Sequence, residues 1–259
     1  MKSFLFYVTV IILVSALVII IKQNEVMIEK RVLTVAQYYS YRSVEEGRME
    51  VPIYLNEEKH PLSNPESYLN IYFSNLDESK KIEMPLKDIQ YGHVETYLNG
   101  IYHQYLLMLE LPYLDHDFLI EDLYMHIELI NMDQYSFYLG SFSLVYLADS
   151  EDVLDWTGLN GSKEEHHFLS RLKEIYIDYE TMVEEIDRIE IGVNMEVLFT
   201  IQGNRITLDI PVADYLLNDV PIIIYYANHQ IQIIDNFRYL VDYQILKESG
   251  PLINLYALN

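Results

Sequence analysis

The stretch Ile189-Glu190-Ile191-Gly192-Val193-Asn194-Met195-Glu196-Val197-Leu198-Phe199-Thr200-Ile201 decides the fold class. Its odd-numbered positions are all apolar, and most of the even ones are polar or small. A period of two puts alternate side chains on opposite faces, as in a half-buried β-strand, and does not suit a helix. Gly203-Asn204 then supplies a turn, and Ile206, Leu208 and Ile210 return in phase, so the region reads as a β-hairpin.

The same period recurs towards the amino terminus. Val51, Ile53 and Leu55 alternate with other residues. Leu69, Ile71 and Phe73 lie opposite Tyr68, Asn70 and Tyr72, and Leu123, Met125, Ile127 and Leu129 lie opposite Tyr124, His126 and Glu128. Ile101 to Leu111 reads as a longer, more central strand. The apolar phase is odd from Tyr135 to Leu139 and even from Phe142 to Tyr146, which predicts a bulge or sharp bend at Gly140-Ser141. Towards the carboxyl terminus, Val220 to Tyr226 and Gln230 to Ile234 form another hairpin around Asn228 and His229. Pro221 marks a strand start or an edge, and Tyr239 to Ile245 and Leu252 to Leu258 are closing strands.

Two stretches depart from this pattern. Residues 149–163 are rich in Asp, Glu, Gly and Asn and read as an acidic linker. Ser162-Lys163-Glu164-Glu165 resembles a helix capping box, with a short helix expected through Phe168, Leu169 and Leu172, and Thr181 to Glu184 offers a second helix start. The expectation is an all-β protein with two antiparallel β-sandwich domains, residues 49–148 and 164–259. Without a Cys–Trp–Cys pattern they would be immunoglobulin-like in architecture only.

Phe4 to Ile21 is free of charge and lies between Lys2 and Lys22. As a helix it would span about 27 Å, close to the thickness of a bilayer core. Val14-Ser15-Ala16 resembles a signal-peptide cleavage site, but Leu17 to Ile21 continue the apolar run beyond it. A buried core helix would show one polar face, and this segment shows none. Residues 1–22 are therefore expected to be an uncleaved transmembrane signal anchor, with 23–48 a juxtamembrane stalk. Lys22, Lys30 and Arg31 oppose an outside carboxyl-terminal region under the positive-inside rule. Long domains cross largely regardless of charge, and the lack of cysteine fits an extracytoplasmic location.

The 259 residues carry 40 acidic against 17 basic side chains, a net charge of −23. Such a surface repels nucleic acid, and its compatible partners are cations or a basic protein surface. Asp115 and Asp117, flanking His116, and Asp149, Glu151 and Asp152 are the oxygen-rich groups that calcium would use. No cofactor other than calcium is suggested. His166-His167 cannot clamp a metal from one helix face. There is no cysteine, G-x-S-x-G elbow or glycine-rich phosphate loop. Among 24 tyrosines, Tyr68, Tyr72, Tyr102 and Tyr124 are candidates for one exposed binding face. The expected function is membrane-anchored, non-catalytic binding of a protein partner outside the cell. A carbohydrate-binding or carbohydrate-cleaving module and a calcium-stiffened spacer are the alternatives.

Overall fold

At Ala36 the chain passes from one sheet to another. Strand β1 (Arg31–Val35) ends just before it and β2 (Gln37–Arg42) begins just after it. Every residue from Val32 to Tyr41 is buried. β2 lies between two parallel neighbours, β9 (Gln134–Val145) and β15 (Leu216–Tyr226). A strand covered on both faces has no reason to alternate, which is why the run Gln37-Tyr38-Tyr39-Ser40-Tyr41 carries no period-two signal. The expected stalk at 23–48 is thus corrected over Arg31–Val35 and Gln37–Arg42, which are strands, with an exposed turn at 44–46 before β3.

The computed structural model describes residues 29–147, 150–166, 169–192, 194–211, 216–238 and 245–258. The expected anchor, Phe4 to Ile21, lies outside the described residues, and no helix among those described is long and apolar enough to cross a membrane. Arg31–Tyr256 forms one compact unit, whereas Lys30 and Leu258 belong to a second. Within that second unit the Leu258 N–H donates to the Lys30 carbonyl at 2.8 Å.

Between β2 and β9 the chain forms β3 (Arg48–Leu55), β4 (Tyr68–Ser74), β5 (Lys81–Glu83), β6 (Leu86–Tyr97), β7 (Gly100–Glu110) and β8 (Phe118–Leu129). After β9 come β10 (Leu154–His166), β11 (Leu169–Met182), β12 (Ile186–Ile191), β13 (Met195–Gln202) and β14 (Arg205–Asp209). Following β15 are β16 (Ile231–Arg238), the single-turn helix α1 (Ile245–Glu248) and β17 (Ile253–Ala257). Five strands form one sheet in the order β17-β1-β3-β7-β6. The other sheet runs β10-β11-β14-β13-β12-β15-β2-β9-β8-β4-β5, with β16 also paired to β15.

The protein is all-β, in keeping with a sandwich. Alternate residues of β3 and β7, including Val51, Ile53, Leu107 and Leu109, are fully buried, as are Ile71, Phe73, Met125, Ile127, Phe137 and Phe142 of the larger sheet. Each such side chain contributes roughly 1.5–3 kcal/mol by leaving water. A second core gathers Ile175, Ile177, Ile189, Ile191, Ile206, Leu208, Ile222 and Ile224. The two expected sandwiches are joined, because the larger sheet runs through both halves with β2 between them.

Three local expectations are corrected. The thirteen-residue run from Ile189 is a hairpin: β12 and β13 pair Ile191 with Met195 and Ile189 with Val197. Gly192 and Asn194 have φ of 60° and 61°, the left-handed region that glycine and asparagine tolerate best. A three-residue turn preserves odd–even phase, so alternation passes through it unbroken. From Leu154 on, the expected linker is strand β10, paired to β11 from Leu169. Ser162 therefore pairs with Glu174 where a helix cap was expected, and Leu169 and Leu172 lie in a strand. Phe168 of the expected helix lies outside the described residues, and Thr181 and Met182 of the second helix start end β11. Pro221 lies inside β15, at the register shift in its pairing with β16 and between the residues paired to β2 and those paired to β12. The bend expected at Gly140-Ser141 is present: Gly140 has φ 108°, and a Cβ there would lie 2.2 Å from the Gln37 carbonyl oxygen.

Candidate functional site

β4, β8 and β9 pair antiparallel and bury Ile71, Phe73, Leu123, Met125, Ile127, Phe137 and Leu139 on one face. Their alternate residues therefore emerge on the other. Register brings Tyr72 opposite His126, Ser74 opposite Tyr124, and Tyr124 opposite Tyr138. Glu128 and Gln134 continue the row at one end, and Lys81 and Glu83 extend it across β5.

The rings are locked in pairs. Tyr72 stacks on His126 with centroids 4.6 Å apart and planes at 10°. The Lys81 ammonium lies 3.5 Å from the centre of the Tyr72 ring. Tyr124 and Tyr138 meet at 5.4 Å and 55°. Ser74 Oγ and His126 Nε2 are 2.8 Å apart. Burial holds the His126 imidazole below its ordinary pKa, and neighbouring Lys81 acts in the same direction while Glu78 opposes it. The Tyr72 phenol is raised, first by burial and then by Glu78, Glu128 and Glu83. These shifts favour the neutral forms of Tyr72 and His126, beside one lysine and several carboxylates. The strand beneath is held from behind, where Thr34 Oγ1 donates to the Tyr138 carbonyl and the Tyr138 N–H donates to Tyr256 Oη, both at 2.8 Å.

Two of the four sequence-flagged tyrosines, Tyr72 and Tyr124, belong to this face. Tyr68 turns to a different task, donating its hydroxyl to the Leu62 carbonyl at 2.6 Å, and burial raises its pKa. Tyr102 is in the other sheet and only 3 % exposed, packed with Leu33, Val35, Tyr54 and Leu246. The single exposed face expected for all four is corrected accordingly. Tyr138 and Lys81 were missed, because only cross-strand register reveals them.

The described acidic candidates do not gather. Asp115 is paired with His116 at 2.9 Å, which holds its carboxyl below the usual range, while Asp117 Oδ1 accepts the Tyr146 N–H at 2.7 Å. Glu151 accepts a hydrogen bond from the Gln230 amide, and Asp152 is exposed. Asp149 lies outside the described residues. Among the described residues no three His, Asp or Glu side chains are grouped as a metal ion would require. His166 ends β10, and His167 lies outside the described residues.

No family model matches this chain, and no curated protein matches it either. Among solved structures, the Bacteroides ovatus mixed-linkage glucan utilization locus protein SGBP-B, in complex with a mixed-linkage heptasaccharide, is 11% identical with a TM-score of 0.22, covering 78% of this chain and 43% of its own. A chimeric titin Z1Z2-Z1Z2 tandem, functionalized with an exogenous GRGDS peptide from fibronectin, is 8% identical with a TM-score of 0.17, covering 79% of this chain and 93% of its own. The chain thus spans less than half the length of the first. Scores of this size carry no argument about fold or ligand.

Proposed function

We propose that this chain is a membrane-anchored binding protein, displayed outside the cell, that docks onto a partner protein through the outward face of β4, β8 and β9. One observation carries the reading: half-exposed Tyr72, Tyr124 and Tyr138 share the uncovered face of a sheet whose opposite face is core. Tyrosine suits such contacts because a large ring with few rotatable bonds gives contact area at low entropic cost, and its hydroxyl finds a polar partner. The rings sit on paired strands, so little order is lost on binding. The apolar run from Phe4 to Ile21 supplies the anchor.

A sugar would need an open ring face on which to stack. The Tyr72 ring has His126 against it and the Lys81 ammonium over it, which disfavours that use. A protein surface can instead engage ring edges, hydroxyls and flanking carboxylates together. The test is affinity recovery of the full chain from detergent-solubilised membranes, comparing the native chain with the Tyr124→Ala/Tyr138→Ala pair. The reading expects a stoichiometric protein with the former and its loss with the latter. Recovery of no such protein, or equal recovery by both, would overturn it.

A further inference from the structure

Beside the tyrosine face, β4 is only partly covered at its other edge. β5 pairs with it at Tyr72, Phe73 and Ser74. One further bond follows, from the Met84 N–H to the Ile71 carbonyl at 2.9 Å. The chain then leaves, passing through Pro85 to become β6, the last strand of the other sheet. Among the described residues no strand pairs with Tyr68 to Asn70 on that side, and β6 passes near without pairing.

The departing chain leaves a groove of about 510 Å³ against the start of β4. Pro65, Leu69 and Leu86 supply its apolar lining, with Glu66, Glu83 and Lys87 on its walls. Leu69 is 65% exposed, because the register shift between Tyr68 and Asn70 leaves it unpaired and out of line with buried Ile71 and Phe73. Lys87 is paired with Glu110, whereas Glu66 and Glu83 have no cationic partner among the described residues. The groove thus offers strand backbone at Leu69 and Asn70, the Tyr68 N–H being already donated to the Pro65 carbonyl, together with apolar lining side chains and net negative charge. An extended peptide recognises the first by adding a strand, the second by alternate side chains, and the third by lysine or arginine.

We propose that this groove takes an extended, cationic segment of the partner protein, added as a short strand along the open start of β4. The inference rests on the reading of the chain as a protein-binding module and specifies what part of the partner is held here. The net charge of −23 favours the same kind of occupant at longer range. A partner seated on the tyrosine face would need only a short tail to reach β4's free edge, because the two sites share that strand.

The experiment uses the full chain in detergent and two short synthetic peptides, one alternating valine with lysine and one alternating valine with glutamate. The valine–lysine peptide should bind and the valine–glutamate peptide should not. Methylating the amide nitrogens along one edge of the lysine peptide should weaken binding at least about tenfold, and methylating the other edge should not, because an added strand pairs through one edge only. The exposed double variant Glu66→Lys/Glu83→Lys should lose at least about tenfold. Equal binding by both methylated forms, or unchanged binding by the double variant, would overturn the proposal as charge attraction elsewhere. Concentration-dependent dimerisation removed by the same double variant, with no peptide bound, would overturn it in favour of a second copy. Failure here leaves the Tyr124 and Tyr138 dependence of partner recovery standing. Failure of that dependence leaves the peptide result interpretable.

Discussion

Two outward faces in this protein carry tyrosine, and their fates differ. On the five-stranded sheet, Tyr54 and Tyr102 are buried, because α1 and the segment to Ile253 lie over them, with Leu246, Ile245 and Leu252 filling the space. A buried carboxylate, Glu95, holds that cover: Oε2 accepts the Leu246 N–H at 2.8 Å, and Oε1 lies 2.9 Å from His93 Nε2. On the β4, β8 and β9 face, Tyr72, Tyr124 and Tyr138 stay half-exposed. The difference teaches that an outward tyrosine becomes core or contact surface according to whether the chain itself returns to cover it. The uncovered face is the one available to another molecule.

The largest effects should break the covered face. Tyr102→Ala should cost about 3–5 kcal/mol in urea unfolding, and Leu246→Ala about 2–5 kcal/mol, because each removes a buried side chain from a closed cluster. Tyr124→Ala should cost less than about 1 kcal/mol, since it loses only a cross-strand contact. Comparable losses at Tyr102 and Tyr124 would erase the distinction.

Next in size, Glu95→Ala should remove about 1–2 kcal/mol by leaving the first turn of α1 without its acceptor. Burial lifts the Glu95 carboxyl above its ordinary value, against the opposing pulls of the Leu246 N–H and His93. The folded form then holds its proton more tightly than the unfolded form. The stability gained is full below the usual glutamate value of 4.5 and is lost as pH rises through the raised one. His126 has the opposite sign. Its pKa is depressed, so the folded state favours neutral imidazole, and stability is lost as pH falls from 6.5 through the lowered value. Unfolding curves against pH should therefore flatten on the acid side with Glu95→Gln and nearer neutrality with His126→Gln. The same slope in both variants as in the native chain would contradict the assignment.

The smallest effect is expected on the outer side of β11 and β14, where Arg205 grips Asp178 through Nε–Oδ1 at 2.6 Å and a second, parallel bond at 2.9 Å. Both side chains are solvent-accessible, and exposed pairs contribute little. Arg205→Ala should leave the urea midpoint within experimental scatter and partner recovery unchanged.

Sheet class was legible because period two survives wherever one face of a strand is wet, as along Leu123 to Leu129. It failed along Val32 to Tyr41, where burial on both faces removes alternation, and at Gly192 to Asn194, where a three-residue turn keeps phase. It also failed at Ser162 to Glu165, where a capping pattern outweighed the alternation of Ile175, Ile177 and Tyr179, which begins ten residues beyond Glu165. Tyr72 and Tyr124 were legible as outward residues. Tyr138, Lys81 and the buried state of Tyr102 depend on which strands become neighbours and on where α1 and the segment leading to Ile253 are laid down, which pairing over long sequence distances decides.

The most direct measurement is photocrosslinking in intact cells, with a photoreactive amino acid replacing Tyr124 in one strain and Tyr102 in another. Crosslinking of one discrete protein from position 124, and only intramolecular products from position 102, is the predicted result. Equal intermolecular crosslinking from both positions, or none from 124, would contradict the division into a covered face and a docking face.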